Sequence, residues 1–174
     1  MEEKMQTLLC RVDPRMIPPV VLSMGFGAFL VLLEGPTERG FLLALLLSPF
    51  TYLGAEILAR RISIDPDGIT VSKLLRSVRI QWSQITSLDA VQSRRKLFVI
   101  LQPENGRPVL ITNTIQPFAD LTERLMTFIP KEKISTSATE LLANPPSKHG
   151  LVIQAWIVCL VVTALTIGKL LGYN

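Results

Sequence analysis

The sequence predicts three membrane-spanning helices plus a small α+β domain of antiparallel strands, capped by one C-terminal amphipathic helix. Three observations carry this reading. Residues 16–33, 40–55 and 150–168 are apolar runs without a charged residue. Residues 61–130, between the second run and the third, alternate apolar and polar residues in short segments separated by turn residues. The basic residues are divided unevenly between the loops that the three runs would separate.

The runs come first. A bilayer core of roughly 30 Å needs about 17–25 apolar residues as a helix, and each run approaches that length. A core helix of a soluble protein keeps one polar face, whereas these runs are apolar all round. Although 48 % of the 174 residues are hydrophobic, the excess is concentrated here. Pro49 is expected to kink the second run, and Glu56 lies four residues before Arg60, in range for an interfacial pair. The mixed charge of MEEKMQTLLCRVDPR and the lack of an A-x-A site after the first run argue against a cleaved signal peptide. No apolar stretch long enough to serve as a signal-peptide core precedes Cys10, so a lipoprotein cysteine is not expected there. Cys10 and Cys159 are too few for a disulfide framework.

Orientation follows from lysine and arginine. Lys4, Arg11 and Arg15 precede the first run, and the link EGPTER holds only Arg39, against Glu34 and Glu38. The segment 60–150 carries thirteen Lys and Arg against eight Asp and Glu. The expected protein is therefore a multi-pass protein of the cell inner membrane, with its N-terminus and middle domain cytoplasmic. The expected divisions are an N-terminal segment over 1–15, a helical hairpin over 16–59, the domain over 60–130, a linker over 131–149 and a third span over 150–171.

Within the domain, Ile62 and Ile64 alternate before DPDG turns the chain, and Ile69 and Val71 alternate after it. Val78, Ile80 and Trp82 continue the pattern, a fourth strand runs near Ile85 to Val91, and KLFVILQ turns at PENGR into PVLITN. That makes six strands. Phe118, Leu121, Leu125, Phe128 and Ile129 then form one stripe of an amphipathic helix, broken by Thr122 and bounded by Pro117 and Pro130. The helix is expected to cover one face of the sheet.

RRISIDPDGITV followed by VRIQWSQITSLD, after two apolar helices, resembles the bacterial pleckstrin-homology-like (PH-like) domain of small membrane proteins. A D-x-x-G-I hairpin (Asp65 to Ile69) and a W-x-x-I turn (Trp82 to Ile85) carry the resemblance over about residues 60–130. These motifs are structural, a turn and an indole packing under the sheet, so the resemblance implies a fold and not an activity. The third helix departs from the plainest two-helix members.

If the strands run up and down in order, the first begins beside Arg60 and Arg61. The turns after the second and fourth strands then share that end, with Arg76, nearby Arg79, and Arg94, Arg95 and Lys96. These seven residues are the candidate lipid-headgroup site. Each Lys or Arg near an anionic leaflet contributes about 1 kcal/mol. In eukaryotic relatives of the fold the first hairpin loop supplies basic residues, but here that loop is Asp65-Pro66-Asp67-Gly68, which would repel a phosphate.

Catalytic, cofactor and metal residues are not expected. His149 has no second His or Cys at metal spacing, and no nucleophile-elbow or phosphate-loop pattern occurs. Gln154, Thr163, Gly25, Gly27 and Ala28 suit contacts between helices. Nucleic acid is not an expected partner, because aromatics are not interleaved with the basic residues. The leading expectation is a non-enzymatic scaffold, assembly factor or accessory subunit with membrane lipids and a protein of a membrane complex as partners, self-association being left open. The rivals are an anionic-lipid-binding module and a transport or enzymatic role, the last of which would need more polar residues at mid-membrane.

Overall fold

The computed structural model describes residues 7–94, 96–143 and 149–172. It divides into two compact units, one of residues 1–13 and 59–148, the other of 14–58 and 149–174.

The second unit contains α1 (Ile17–Glu34), α2 (Glu38–Ala59) and α5 (His149–Leu170). Among the described residues these are the three helices long and apolar enough to cross a membrane. Pro18 and Pro19 sit in the first turn of α1, where missing amide hydrogens cost nothing. Gly35 ends α1 at φ 66°, and the Thr37 hydroxyl caps α2 by accepting from the Gly40 amide at 3.1 Å. The return is antiparallel and close: a Cβ on Gly54 would lie 2.9 Å from Met24 Sδ and 3.3 Å from Val20 Cγ1. α2 continues through Pro49. α5 packs along α1, and Lys169 pairs with Glu34 at 2.8 Å where both helices end, so the two run parallel. Of the residues suited to helix contacts, Gly27 is buried beside Leu47, Gly25 meets nothing, and Gln154 is exposed. The Thr163 hydroxyl donates to the Cys159 carbonyl within its own helix.

The first unit holds the strands. β1 (Leu8–Val12), β2 (Arg61–Asp65), β3 (Gly68–Ser72), β4 (Ser77–Gln81) and β8 (Ile115–Gln116) form one antiparallel sheet in the order β4-β3-β2-β1-β8. A second sheet has the order β5-β6-β7, from β5 (Ile85–Ser93), β6 (Lys96–Pro103) and β7 (Val109–Thr112). Alternation decides which side faces in: Ile62, Ile64, Ile69, Leu97, Val99, Leu101 and Ile111 are all buried. The six strands expected from the sequence are β2 to β7, and they belong to two sheets, not one.

β1 is the strand the sequence reading did not place. Cys10 pairs with Ile62 and Arg11 with Arg61, while on its other side Arg11 pairs with Gln116. The period-two signal of LLCRV, with Cys10 and Val12 turned inward, is only five residues long and abuts an apolar run that masks it. The N-terminal segment is thus a structural strand, and α1 and α2 are an insertion between two neighbouring strands.

α3 (Phe118–Phe128) lays its stripe on the core, burying Phe118, Leu121, Leu125 and the following Ile129. The gap residue Thr122 is itself buried, its hydroxyl donating to the Ala119 carbonyl at 2.8 Å. The expected linker is folded as far as α4 (Thr136–Ala143). The Ser135 amide donates to Leu88 of β5 at 3.0 Å, Ser135 Oγ caps α4, and Ala138 and Leu142 are buried. Two helices, therefore, and not one, finish the core.

β1 buries Cys10 and Val12, worth about 3 kcal/mol together, and supplies ladder bonds to both β2 and β8. Deleting residues 1–12 is expected to make tryptic cleavage at Arg61, Arg76 and Arg79 in detergent at least about tenfold faster. Unchanged resistance would show that β1 is dispensable.

Candidate functional site

The register of the first sheet sorts its charges by end. Gln116, Arg11, Arg61, Ser72 and Ser77 are successive cross-strand partners, one row through β8, β1, β2, β3 and β4. Asp13, where the chain continues into the first apolar helix, and Arg60, where it arrives from the second, flank this row. So does the β3–β4 turn, residues 73–76, with Lys73 and Arg76. Arg11, Arg61 and Arg76 are exposed, and Arg60 is half-buried. Arg11 and Arg61 face each other directly on the outer side. Like charges at opposed positions cost roughly 0.2–1 kcal/mol unless an anion intervenes.

The β5–β6 turn joins this end through hydrogen bonds. The Leu97 amide donates to Asn113 Oδ1 at 3.3 Å, and the Asn113 amide returns a bond to the Leu97 carbonyl at 3.1 Å. Next along the chain, the Thr114 carbonyl accepts from the Asp13 amide at 2.9 Å. Gln116 Nε2 donates to the Asp13 carboxylate, which is buried. Arg94 and Lys96, both exposed, are thereby placed toward the row of Arg11 and Arg61. Arg95 lies outside the described residues.

Arg79 is the exception. Its backbone pairs with Thr70, and its guanidinium turns the other way, 3.2 Å from one oxygen of Asp65 and 3.3 Å from the other. It therefore belongs to the opposite, acidic end. There Asp65 Oδ1 also accepts the amides of Asp67 and Gly68, closing the DPDG turn. Gly68 is required at that turn, because a Cβ would overlap the Ile80 carbonyl oxygen on β4. Trp82 donates its indole N–H to the Asp65 carbonyl at 3.1 Å and stacks on Phe128 of α3, ring centres 5.0 Å apart. The β6–β7 turn joins this end too, the Glu104 amide donating to the Gln84 carbonyl at 2.7 Å.

Five of the seven sequence candidates, Arg60, Arg61, Arg76, Arg94 and Lys96, thus share one end. Arg11 and Lys73 join them. Arg11 escaped notice as a site residue because its strand did. Lys73 was not singled out in the sequence reading. Among the described residues, no group of three His, Cys, Asp or Glu is arranged to hold a metal. The side chain of His149 lies outside the described residues.

Residues 60–113 match the family model described as a bacterial PH domain. The match runs from β2 through β7 and leaves out β1, α3 and α4. The chain thus contains a bacterial PH-like domain, of a kind that typically serves protein or lipid interaction. No curated protein and no solved structure matches this sequence.

Two outcomes follow from this geometry. Trp82→Ala removes the stack on Phe128 and the bond to Asp65, and is expected to cost about 2 kcal/mol in denaturant unfolding of the domain. The Cys10 thiol is pushed up from its ordinary 9.0 to about 11, chiefly by burial, with Asp120 adding to the shift and Arg124 opposing it. The folded state holds this proton more tightly, so the stabilisation is complete below about pH 9 and is lost as pH climbs toward 11. Alkylation at neutral pH should therefore be slow until the domain unfolds, and Cys10→Ala should reduce the alkaline loss of stability.

Proposed function

We propose that this chain, with its bacterial PH-like domain, is a non-enzymatic integral membrane scaffold, assembly factor or accessory subunit. It presents the domain on the cytoplasmic side of the cell inner membrane. The observation that carries the reading is the insertion of two apolar helices between adjacent strands of the sheet. With the third apolar helix following α4, the domain is bound covalently to three membrane-crossing segments and cannot leave the bilayer. The parallel course of α1 and α5, with α2 returning between them in sequence, supports three spans with both ends of the domain on one side. The excess of Lys and Arg before α1 and through 60–150 favours the cytoplasm for that side. Strand edges at β4 and β7 offer the backbone groups through which such a module takes a partner chain.

A second reading, an anionic-lipid-binding module, is favoured by one feature, the opposed pair of Arg11 and Arg61 beside Arg60, Lys73 and Arg76. Gentle detergent extraction of the tagged native protein, with mass spectrometry of stoichiometric companions, separates the two. The scaffold reading expects a defined membrane complex. Recovery alone, or with anionic lipid only, overturns it. In that case the Arg11→Gln/Arg61→Gln variant should retain less phosphatidylglycerol, and raised salt should produce the same loss.

A further inference from the structure

The two turns that bound β3 are built from opposite materials. The β2–β3 turn is Asp-Pro-Asp-Gly, closed by the Asp65 side chain in the usual manner of a solvated turn. The β3–β4 turn is Lys73-Leu74-Leu75-Arg76, with no Gly, Pro, Asn or Asp. It is nevertheless firmly held: the Lys73 amide donates to the Arg76 carbonyl at 2.8 Å, and the Ser72 and Ser77 hydroxyls bond across its base at 3.1 Å. The turn puts its leucines into the open, Leu75 being 81 % and Leu74 40 % exposed. In water that arrangement leaves most of Leu75 and two-fifths of Leu74 without burial.

Position explains it. Ser72, at the foot of the turn, is the cross-strand partner of Arg61, two residues after the end of α2. The apolar tip therefore projects from the sheet end at which the chain enters one apolar helix and leaves the other. Lys73 and Arg76 flank the leucines, Arg61 is the partner of Ser72 at the turn's foot, and Arg11 lies one strand further on. Two leucines between two cations, on a turn with Arg61 beside its foot, match the boundary between anionic headgroups and acyl chains: leucine enters the apolar layer while Lys and Arg stay with the phosphates.

We propose that residues 73–76 are a lipid-inserting wedge, Leu74 and Leu75 entering the acyl boundary of an anionic leaflet with Lys73 and Arg76 on its headgroups. The wedge rests on the reading of α1, α2 and α5 as membrane-crossing, and gives the domain a non-covalent hold on the bilayer besides its covalent ones.

The test uses the full-length chain in phosphatidylcholine nanodiscs with and without phosphatidylglycerol. Bimane is attached at Leu75→Cys, at Leu45→Cys in mid-α2, or at Leu110→Cys on β7, another exposed leucine, opposite Ile100. The unsubstituted chain, whose two cysteines are buried, serves as the labelling blank. Lipids brominated on the acyl chain should quench positions 45 and 75 roughly twofold and leave 110 unchanged, as expected for a probe inserted about 5–10 Å. Quenching at 75 should deepen with phosphatidylglycerol and weaken in Lys73→Gln/Arg76→Gln. Quenching at 45 without quenching at 75 overturns the wedge and leaves the spanning helices standing. Absence of quenching at 45 overturns the membrane reading and the wedge together. Equal quenching at 75 and 110, or disulfide-linked dimers of the unlabelled Leu75→Cys protein under a mild oxidant such as copper phenanthroline, overturns the wedge in favour of non-specific adsorption or a second copy of the chain.

Discussion

The pairing of Cys10 with Ile62 is the constraint on which the rest of the molecule depends. The two residues are neighbours in the sheet, at the strand spacing of roughly 5 Å, yet two long apolar helices separate them in the chain. An antiparallel helical pair is the insert that meets this condition, because it returns the chain close to where it left. The tight Gly35–Thr37 turn and the close approach at Gly54 keep that pair together. β1 in turn is the bridge between β2 and β8, so the sheet is continuous only when the segment before the first apolar helix and the segment after the second have come together. Folding of the domain and formation of the helical hairpin are thus coupled through covalent connection and register.

The same register gives the sheet its polarity. Antiparallel strands alternate their ends, and the turns therefore alternate between two sides. On one side lie Arg11, Arg61, Lys73 and Arg76; on the other, the Asp65 turn, which draws Arg79 to itself. An arginine beside two aspartates at one end and an arginine opposite an arginine at the other are different electrostatic situations. The first is internally neutralised. The second sets two like charges opposite each other, and the field they make is strongest where the dielectric falls. The basic end is the one at which the chain connects to the apolar helices, and the compensated acidic end is the opposite one.

Closure of the core shows how little of this could be local. Trp82 ties the Asp65 turn to α3 by one hydrogen bond and one stacked ring. Beyond α3, Ser135 pairs with Leu88, and Lys133 Nζ reaches the Ile85 carbonyl at 2.6 Å, so a stretch rich in Lys, Ser and Thr is pinned along β5. Such segments read as solvated chain because their composition is polar. Their structure comes from a few apolar anchors, Ala138 and Leu142, and from backbone groups left open on β5.

The sequence by itself determined what depends on near neighbours. Three uncharged runs became three long helices, since that reading needs only length and hydropathy. β2 and β4 to β7 fell within two residues of their expected positions, because alternation and the DPDG and PENGR turns are local signals, while β3 ended at Ser72, short of the expected close at LLRS. The stripe from Phe118 to Ile129 reported a helix face for the same reason. Tertiary structure decided what depends on pairing at a distance: that residues 8–12 are a strand, that eight strands divide into two sheets among the described residues, and that α4 belongs to the core. It also decided the composition of the basic end. Arg79 was assigned there by proximity to Arg76 in sequence, but a side chain several ångströms long follows the nearest carboxylate, and Asp65 lies fourteen residues away in sequence and 3.2 Å away in space. Arg11 was absent from that end on paper because its place is set by Arg61, fifty residues downstream and directly opposite it in the sheet. Periodicity records which way a residue faces; only register records what it faces.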